Sequence, residues 1–259
     1  LATLFDFPME ERHKLPFWSD VAASSKGRFG PQSNPMPEEE RREIMRTYRE
    51  RFRELWFERA KAEPRFDFIS LMAHNEGTKD LVHDDQNFLG NLNLLIIGGN
   101  DTTRNSMTGS LYALNKYPDQ YEKLKADPSL IPNLVNETIR WQTPLAHMRR
   151  NAVEDVEIGG QKIRKGDKVV MWYVSGNRDE DVFENADDFQ IDRPNARNHI
   201  SFGFGIHRCM GNKVAELQLR ILWEEIMKRF DRIEVVGEPV RLKHPAIMGY
   251  SELPVRINA

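Results

Sequence analysis

The stretch FGFGIHRCMG, residues 202–211, holds the only cysteine of this 259-residue chain, Cys209, among three glycines, a histidine and an arginine. A lone cysteine in a reducing setting is most often a small buried hydrophobe. The neighbours point elsewhere. Cys209 stands at the entrance to a helical pattern, NKVAELQLRILWEEIMKRF (212–230), where unpaired backbone N–H groups and the helix dipole favour a sulfur anion. Gly205 and Gly211 have no Cβ, so the backbone can turn sharply and a large flat ligand can approach it. His207 and Arg208 add positive charge. The segment is built to hold a thiolate against something.

Four partners compete for it. Zinc would need further soft ligands, and only His207 and His199 are at hand. A dinucleotide loop would need G-x-G-x-x-G after a strand, but Gly203-Phe204-Gly205 is followed by Arg at position 208 and no strand precedes it. A nucleophilic cysteine with His207 as base is conceivable, although two residues apart in a turn does not aim one at the other. Haem iron, with the thiolate as axial ligand pushing electron density toward bound dioxygen, is the remaining option.

Working outward, the chain carries 30% charged residues and a net charge of −3, which gives no sign of a nucleic-acid binder. The apolar run LLII at 94–97 is far too short for a membrane span, and one cysteine forms no internal disulfide framework. A cytoplasmic setting is the natural expectation. PEEERREIMRTYRERFRELWFERAKAEP (37–64) predicts a helix, with Pro at its start, acids first and bases later. Ile44, Met45, Tyr48, Phe52, Leu55 and Trp56 form its narrow apolar face. A shorter helix is expected at 66–74, a long one from 84 to 116, and two more near 117–126 and 128–141, the last stopped by Pro144. Residues 156–174 alternate as strands about a Gly159-Gly160 turn. Residues 176–208 have no sustained period, and the end of the chain reads as short strands. LATLFDFP at the start reads like the end of a helix already under way, which suggests a sequence partial at its N-terminus.

Within the long helix, GGNDTT (98–103) places two adjacent glycines, each costing about 1 kcal/mol against Ala. They would serve close helix packing, or let the backbone open where Thr102 bonds the carbonyl of Gly98. Asp101 is then a candidate proton shuttle. Glu137-Thr138-Ile139-Arg140 puts an acid and a base on one helix face, where most such pairs are exposed and weak.

The pattern Phe202-x-x-Gly205-x-His207-x-Cys209-x-Gly211 resembles the haem-binding signature of the cytochrome P450 superfamily, the haem-thiolate monooxygenases. The resemblance implies haem b as cofactor, Cys209 as ligand of its iron, Phe202 packed beside the sulfur, and His207 at a propionate. It implies that Asp101-Thr102 is the family's acid–alcohol pair and that Glu137 and Arg140 brace the proximal side through Arg193. It also gives Arg150, in preference to Arg149, a haem propionate. The implied fold class is mainly α with small β-sheets (α+β), the C-terminal portion of the cytochrome P450 fold. Residues 1–259 would then form one partial domain that lacks the family's N-terminal region.

The same resemblance implies insertion of one oxygen of O2 into an unactivated C–H bond, with electrons from a ferredoxin and its reductase entering near Arg208 and Lys213. LATLFDFP, LIIGGNDTTRNS and MGYSELPVRI are similar to the soluble alkane hydroxylase subfamily, which implies terminal attack on medium-chain alkanes or fatty acids. Leu94, Gly98, Leu145, Met148, Ile247 and Met248 are the positions expected to face such an apolar substrate. Terpene or steroid oxidation, and a haem-binding fragment without activity, are the alternatives.

Overall fold

The computed structural model describes residues 1–23 and 36–258. It divides between Thr102 and Thr103 into two compact units.

The first unit is helical. Helix α1 (Ala2–Phe5) ends on Asp6 in the left-handed region, and α2 spans Lys14–Ala23. Helix α3 (Glu38–Lys61) begins after Pro37, with Glu38, Glu39 and Glu40 in its first turn and Arg59 and Lys61 in its last, complementing its dipole as the sequence predicts. Its face is the expected one: Tyr48, Phe52, Leu55 and Trp56 are buried, and Ile44 and Met45 pack against them half-buried. They share a core with Phe5, Phe7 and Trp18, with ring centroids 5.1–6.0 Å apart across Trp18–Tyr48, Phe7–Trp18 and Trp18–Phe52. Helix α4 (Phe68–His74) is capped by Asp67, whose carboxylate accepts the Ser70 N–H at 2.8 Å. Helix α5 (Asp85–Lys116) is the long helix, and its first half belongs here. Phe88, Leu92 and Ile96 enter the core, whereas Leu94 is 70% exposed.

The second unit begins with the rest of α5. Helix α6 (Pro118–Ala126) and, after a single 3-10 turn at Pro128–Leu130, α7 (Ile131–Gln142) follow. The second of these two predicted helices therefore starts three residues later than its apolar pattern suggests. It ends on Thr143 at φ 43°, a costly conformation for a β-branched residue. Strands β1 (His147–Asn151), β2 (Val156–Ile158), β3 (Gln161–Ile163) and β4 (Lys168–Trp172) come next. The predicted hairpin is β2–β3, with Gly159 and Gly160 at φ 57° and 75°, the geometry a two-residue turn requires. Strand β4 leaves that hairpin and pairs antiparallel with β1, aligning Arg150 with Val169. A short helix α8 (Tyr173–Gly176) leads into a long irregular stretch, and α9 (Asn212–Arg229) follows Gly211. Strands β5 (Arg232–Val235), β6 (Val240–Arg241), β7 (Tyr250–Glu252) and β8 (Val255–Asn258) make the pairs β5–β8 and β6–β7.

The core of this unit gathers Leu114, Tyr121, Leu134, Trp141, Phe189, Ile191 and Trp223. Trp223 on α9 donates to Ser110 Oγ on α5 at 2.9 Å, so a large apolar ring is buried with its N–H satisfied. Among the described residues no helix is long and apolar enough to cross a membrane.

Candidate functional site

The cysteine segment is a tight loop held by its own backbone. Gly203 N–H donates to Ile200 O at 2.9 Å, Arg208 N–H to Gly205 O at 3.0 Å and Cys209 N–H to Phe202 O at 2.8 Å. Gly203 and Gly205 sit at φ 67° and 69°, where a side chain would be strained. Gly211 does not: its φ is −90°, and a Cβ there would lie an ordinary 4.0 Å from Cys209 Sγ. Backbone conformation therefore requires glycine at Gly203 and Gly205 and does not require it at Gly211.

The loop presents Cys209 on the exterior of its unit. Around it Phe204, Ile206 and Met210 are 68%, 97% and 78% exposed, an apolar shelf with nothing of the second unit over it. A Cβ at Gly205 would meet nothing within 4 Å, so the space above the turn is open. His207, in a single 3-10 turn, is exposed as well. Phe202 faces inward, half-buried against Val135, Ile139 and Leu219, with its ring centroid 5.2 Å from that of His199.

Behind the loop lies a cavity of about 490 Å³, lined in part by Arg197, His199, Phe202, Arg208, Lys213 and Glu216. A neighbouring one of about 450 Å³ shares Arg197, Lys213 and Glu216 and adds Arg220. Cations outnumber acids among these lining residues, although Lys213 is paired with Glu216 at 3.0 Å and Arg220 with Glu224 at 3.4 Å.

His199 is buried, and among the described residues its Nδ1 has no hydrogen-bond partner. Burial, opposed by Glu216 and reinforced by Arg208 and Arg140, pushes its pKa down to about 4. The folded state thus resists a proton that the unfolded chain accepts near 6.5, so stability is full above that pH and falls as pH drops from 6.5 toward 4. The loss is on the order of 3 kcal/mol. His199→Phe is expected to remove this part of the acid sensitivity, measured as urea midpoints at pH 7 and pH 5. An unchanged difference between the two midpoints would refute the assignment.

The E-x-x-R pair is buried, not solvated. Arg140 donates through Nε and Nη2 to the two oxygens of Glu137 at 2.7 and 2.8 Å, and Arg193 Nε reaches Glu137 Oε1 at 3.2 Å. All three side chains are essentially inaccessible. Arg140 also donates to the carbonyls of Asn177, Ala186 and Asp188, and Arg193 to those of Glu184, Asn185 and Asp188. The structure thus gathers Glu137, Arg140 and Arg193 into one cluster that pins the irregular stretch leading to Cys209.

Arg150 lies half-buried on β1, its Nη1 donating to Arg149 O at 3.0 Å, while Arg149 is exposed. Of the expected substrate positions, Leu145 and Ile247 meet in an isolated antiparallel bridge, and Met248 N–H donates to Pro144 O at 2.9 Å. Ile247 is buried and Met148 is exposed on β1. Leu94 and Gly98 belong to the first unit.

Asp101 is 3% exposed within the first unit, accepting from Ser19 Oγ at 3.4 Å and Asn100 Nδ2 at 3.1 Å. Thr102 Oγ1 donates to Gly98 O at 2.7 Å as expected, while α5 remains α-helical throughout. Gly99 serves close packing: a Cβ there would fall 2.7 Å from Leu1. Asn177, Thr143 and His199, which the structure places around the cluster and the loop, carry no local sequence signal beyond their polarity.

The family model described as Cytochrome P450 matches residues 129–249. The chain is 43% identical over 201 residues to linalool 8-monooxygenase of Pseudomonas putida, covering 77% of this chain and 48% of that protein. It spans about half the length of the curated relatives it matches. Among solved structures it is 51% identical to CYP153D17 from Sphingomonas sp. PAMC 26605, covering all of this chain and 63% of that one, with a TM-score of 0.87. Cytochrome P450-153 from Novosphingobium aromaticivorans also gives 0.87, at 47% identity, covering 99% of this chain and 61% of that one.

Proposed function

The chain belongs to the cytochrome P450 family, and on that premise we propose that it serves a haem-thiolate monooxygenation. One oxygen atom of O2 enters an unactivated C–H bond, and the other leaves as water with two electrons and two protons. The observation that carries the reading is the exposed Cys209 on a glycine turn, ringed by the uncovered apolar side chains of Phe204, Ile206 and Met210. A thiol at the rim of an apolar shelf, with open space over Gly205, fits a flat apolar macrocycle. Cys209 would hold the iron, and His207 and Arg150 supply cationic or hydrogen-bonding groups for the propionates. When bound, the haem supplies the oxygen-activating redox chemistry.

The residues of this chain bind, orient and move protons. Asp101, buried beside Ser19 and Asn100, holds a carboxyl group in the middle of α5, and Thr102 stands next to it with its hydroxyl on Gly98 O. This pair would pass the protons that turn one oxygen atom into water. Thr102→Ala is expected to lower product formed per electron consumed by ~10-fold or more, with little effect on stability because Thr102 is not buried. Unchanged coupling would remove the pair from proton delivery.

Electrons would come from a ferredoxin and its reductase, and the face carrying Arg197 and Arg208, beside the pairs Lys213–Glu216 and Arg220–Glu224, suits an acidic donor. The substrate class proposed is a medium-chain alkane or fatty acid attacked at its terminal methyl. The likeness of the chain's wording to the soluble alkane hydroxylase subfamily supports it, as does the apolar group of Leu145, Ile247 and Met248. The 43% identity to linalool 8-monooxygenase favours terpene oxidation as the second reading. Competition between octane and linalool, with products identified by mass, separates the two: a preference for linalool would overturn the alkane assignment.

A further inference from the structure

Asn177 ends α8 and is fully buried. Both hydrogens of its side-chain amide are used: Nδ2 donates to Thr143 Oγ1 at 2.9 Å and to Ser201 Oγ at 2.7 Å. Its Oδ1 accepts the Ile200 N–H at 2.8 Å, and its backbone carbonyl accepts from Arg140 Nη1 at 2.7 Å. Ser201 Oγ passes its own proton to Ile139 O at 2.9 Å, back on α7. Thr143 Oγ1 donates to Arg140 O at 2.6 Å, so the strained end of α7 rests on the same amide.

The path from the buried ion cluster to the cysteine runs through this residue. Among the described residues the guanidinium groups of Arg140 and Arg193 bond Glu137 and the carbonyls of Asn177, Glu184, Asn185, Ala186 and Asp188. None of those bonds reaches the loop. Asn177 does, at Ile200 and Ser201. From there backbone bonds continue to Gly203 and, through Phe202 O, to the N–H of Cys209. The turn around Asn177 also fits the loop closely: a Cβ at Gly176 would fall 2.5 Å from Ile200 Cδ1, and one at Gly203 would fall 3.2 Å from Tyr173 Oη.

We propose that Asn177 is a positioning residue for Cys209, the link that transmits the rigidity of the Glu137–Arg140–Arg193 cluster to the loop presenting the thiol. Its consequence for the iron rests on the reading of Cys209 as ligand; its consequence for the loop does not. Asparagine suits the task because one planar amide satisfies two hydroxyls and one backbone N–H at once. Alanine would leave the half-buried Ile200 N–H without this acceptor.

The test compares the parent chain with Asn177→Ala and Ser201→Ala. In the haem-free proteins, amide hydrogen exchange over residues 200–211 is expected to accelerate about tenfold in Asn177→Ala and less in Ser201→Ala, with exchange in α7 and α9 as in the parent. In the haem-loaded, reduced proteins under carbon monoxide, the share of the thiolate-type Soret band is expected to fall in the same order. Parent-like exchange over 200–211 in both variants overturns the proposal, as does equal acceleration in α7 and α9, which would make Asn177 a general stability residue. If Asn177→Ala does not fold, Ser201→Ala decides alone, and parent-like exchange in it overturns the link. A parent protein that binds haem without the thiolate-type band refutes the ligand reading and leaves the exchange result to judge the link.

Discussion

Arg140→Ala is expected to destabilise the unit of residues 103–259 by about 3–5 kcal/mol, a large share of the ~5–15 kcal/mol a domain has. The reason is geometric. Glu137 is buried and loses two charge-assisted bonds at once, keeping the longer 3.2 Å contact with Arg193 and the Gln190 N–H at 2.9 Å, both on Oε1. Three carbonyls, those of Asn177, Ala186 and Asp188, lose a donor in the same step. Removing one partner of a buried pair leaves an uncompensated charge, which costs far more than the pair's net contribution. Arg140→Lys should fall between, because one ammonium cannot serve the carboxylate bidentately and reach three carbonyls. The exposed pair Arg46–Glu50 provides the control, and its loss should cost under ~1 kcal/mol. Urea midpoints followed by tryptophan fluorescence measure all three, with Trp141 adjacent to the cluster. A loss under ~1 kcal/mol for Arg140→Ala would mean that the cluster is relaxed or hydrated.

That cluster also shows where sequence reading stops. Glu137 and Arg140 are three apart on a helix, so their pairing is local and visible in the letters. Their burial is not, since an identical spacing on a surface helix is solvated. It follows from α7 being covered on most sides, with the polar Thr138 and Gln142 buried alongside Leu134, Val135, Ile139 and Trp141. Helix α3 and the β2–β3 hairpin were legible for the same reason: dipole, period and turn chemistry act within a few residues. The pairing of β4 with β1 joins strands separated by the hairpin, and nothing in KVVMW names its partner. Asn177 and His199 are likewise ordinary polar letters. Asn177 becomes a four-bond junction only through residues 23 to 37 positions away, and His199 becomes a buried imidazole only through the packing around it. At the cysteine loop the letters point to Gly205 and Gly211, whereas the backbone angles that only glycine adopts easily fall on Gly203 and Gly205.

Cys209→Ser is expected to abolish the thiolate-type Soret band of the reduced, carbon monoxide-bound protein while leaving the fold intact. The two halves of this prediction have separate physical grounds. Stability should change by less than ~0.5 kcal/mol, because the side chain is exposed and the bond that Cys209 makes to Phe202 O uses the backbone N–H, which serine retains. The spectral loss should be complete, because the band requires a sulfur anion and the chain has no second cysteine to supply one. A serine hydroxyl has nearly the same reach but is protonated at neutral pH and pushes far less electron density onto iron. Haem can still be taken up on the apolar shelf of Phe204, Ile206 and Met210, so the variant should bind the macrocycle more weakly and show a band without the red shift. Persistence of the shifted band in Cys209→Ser would exclude a cysteinate origin for it altogether. Its loss together with cooperative unfolding would show Cys209 acting as a structural residue, contrary to its exposed position in the loop.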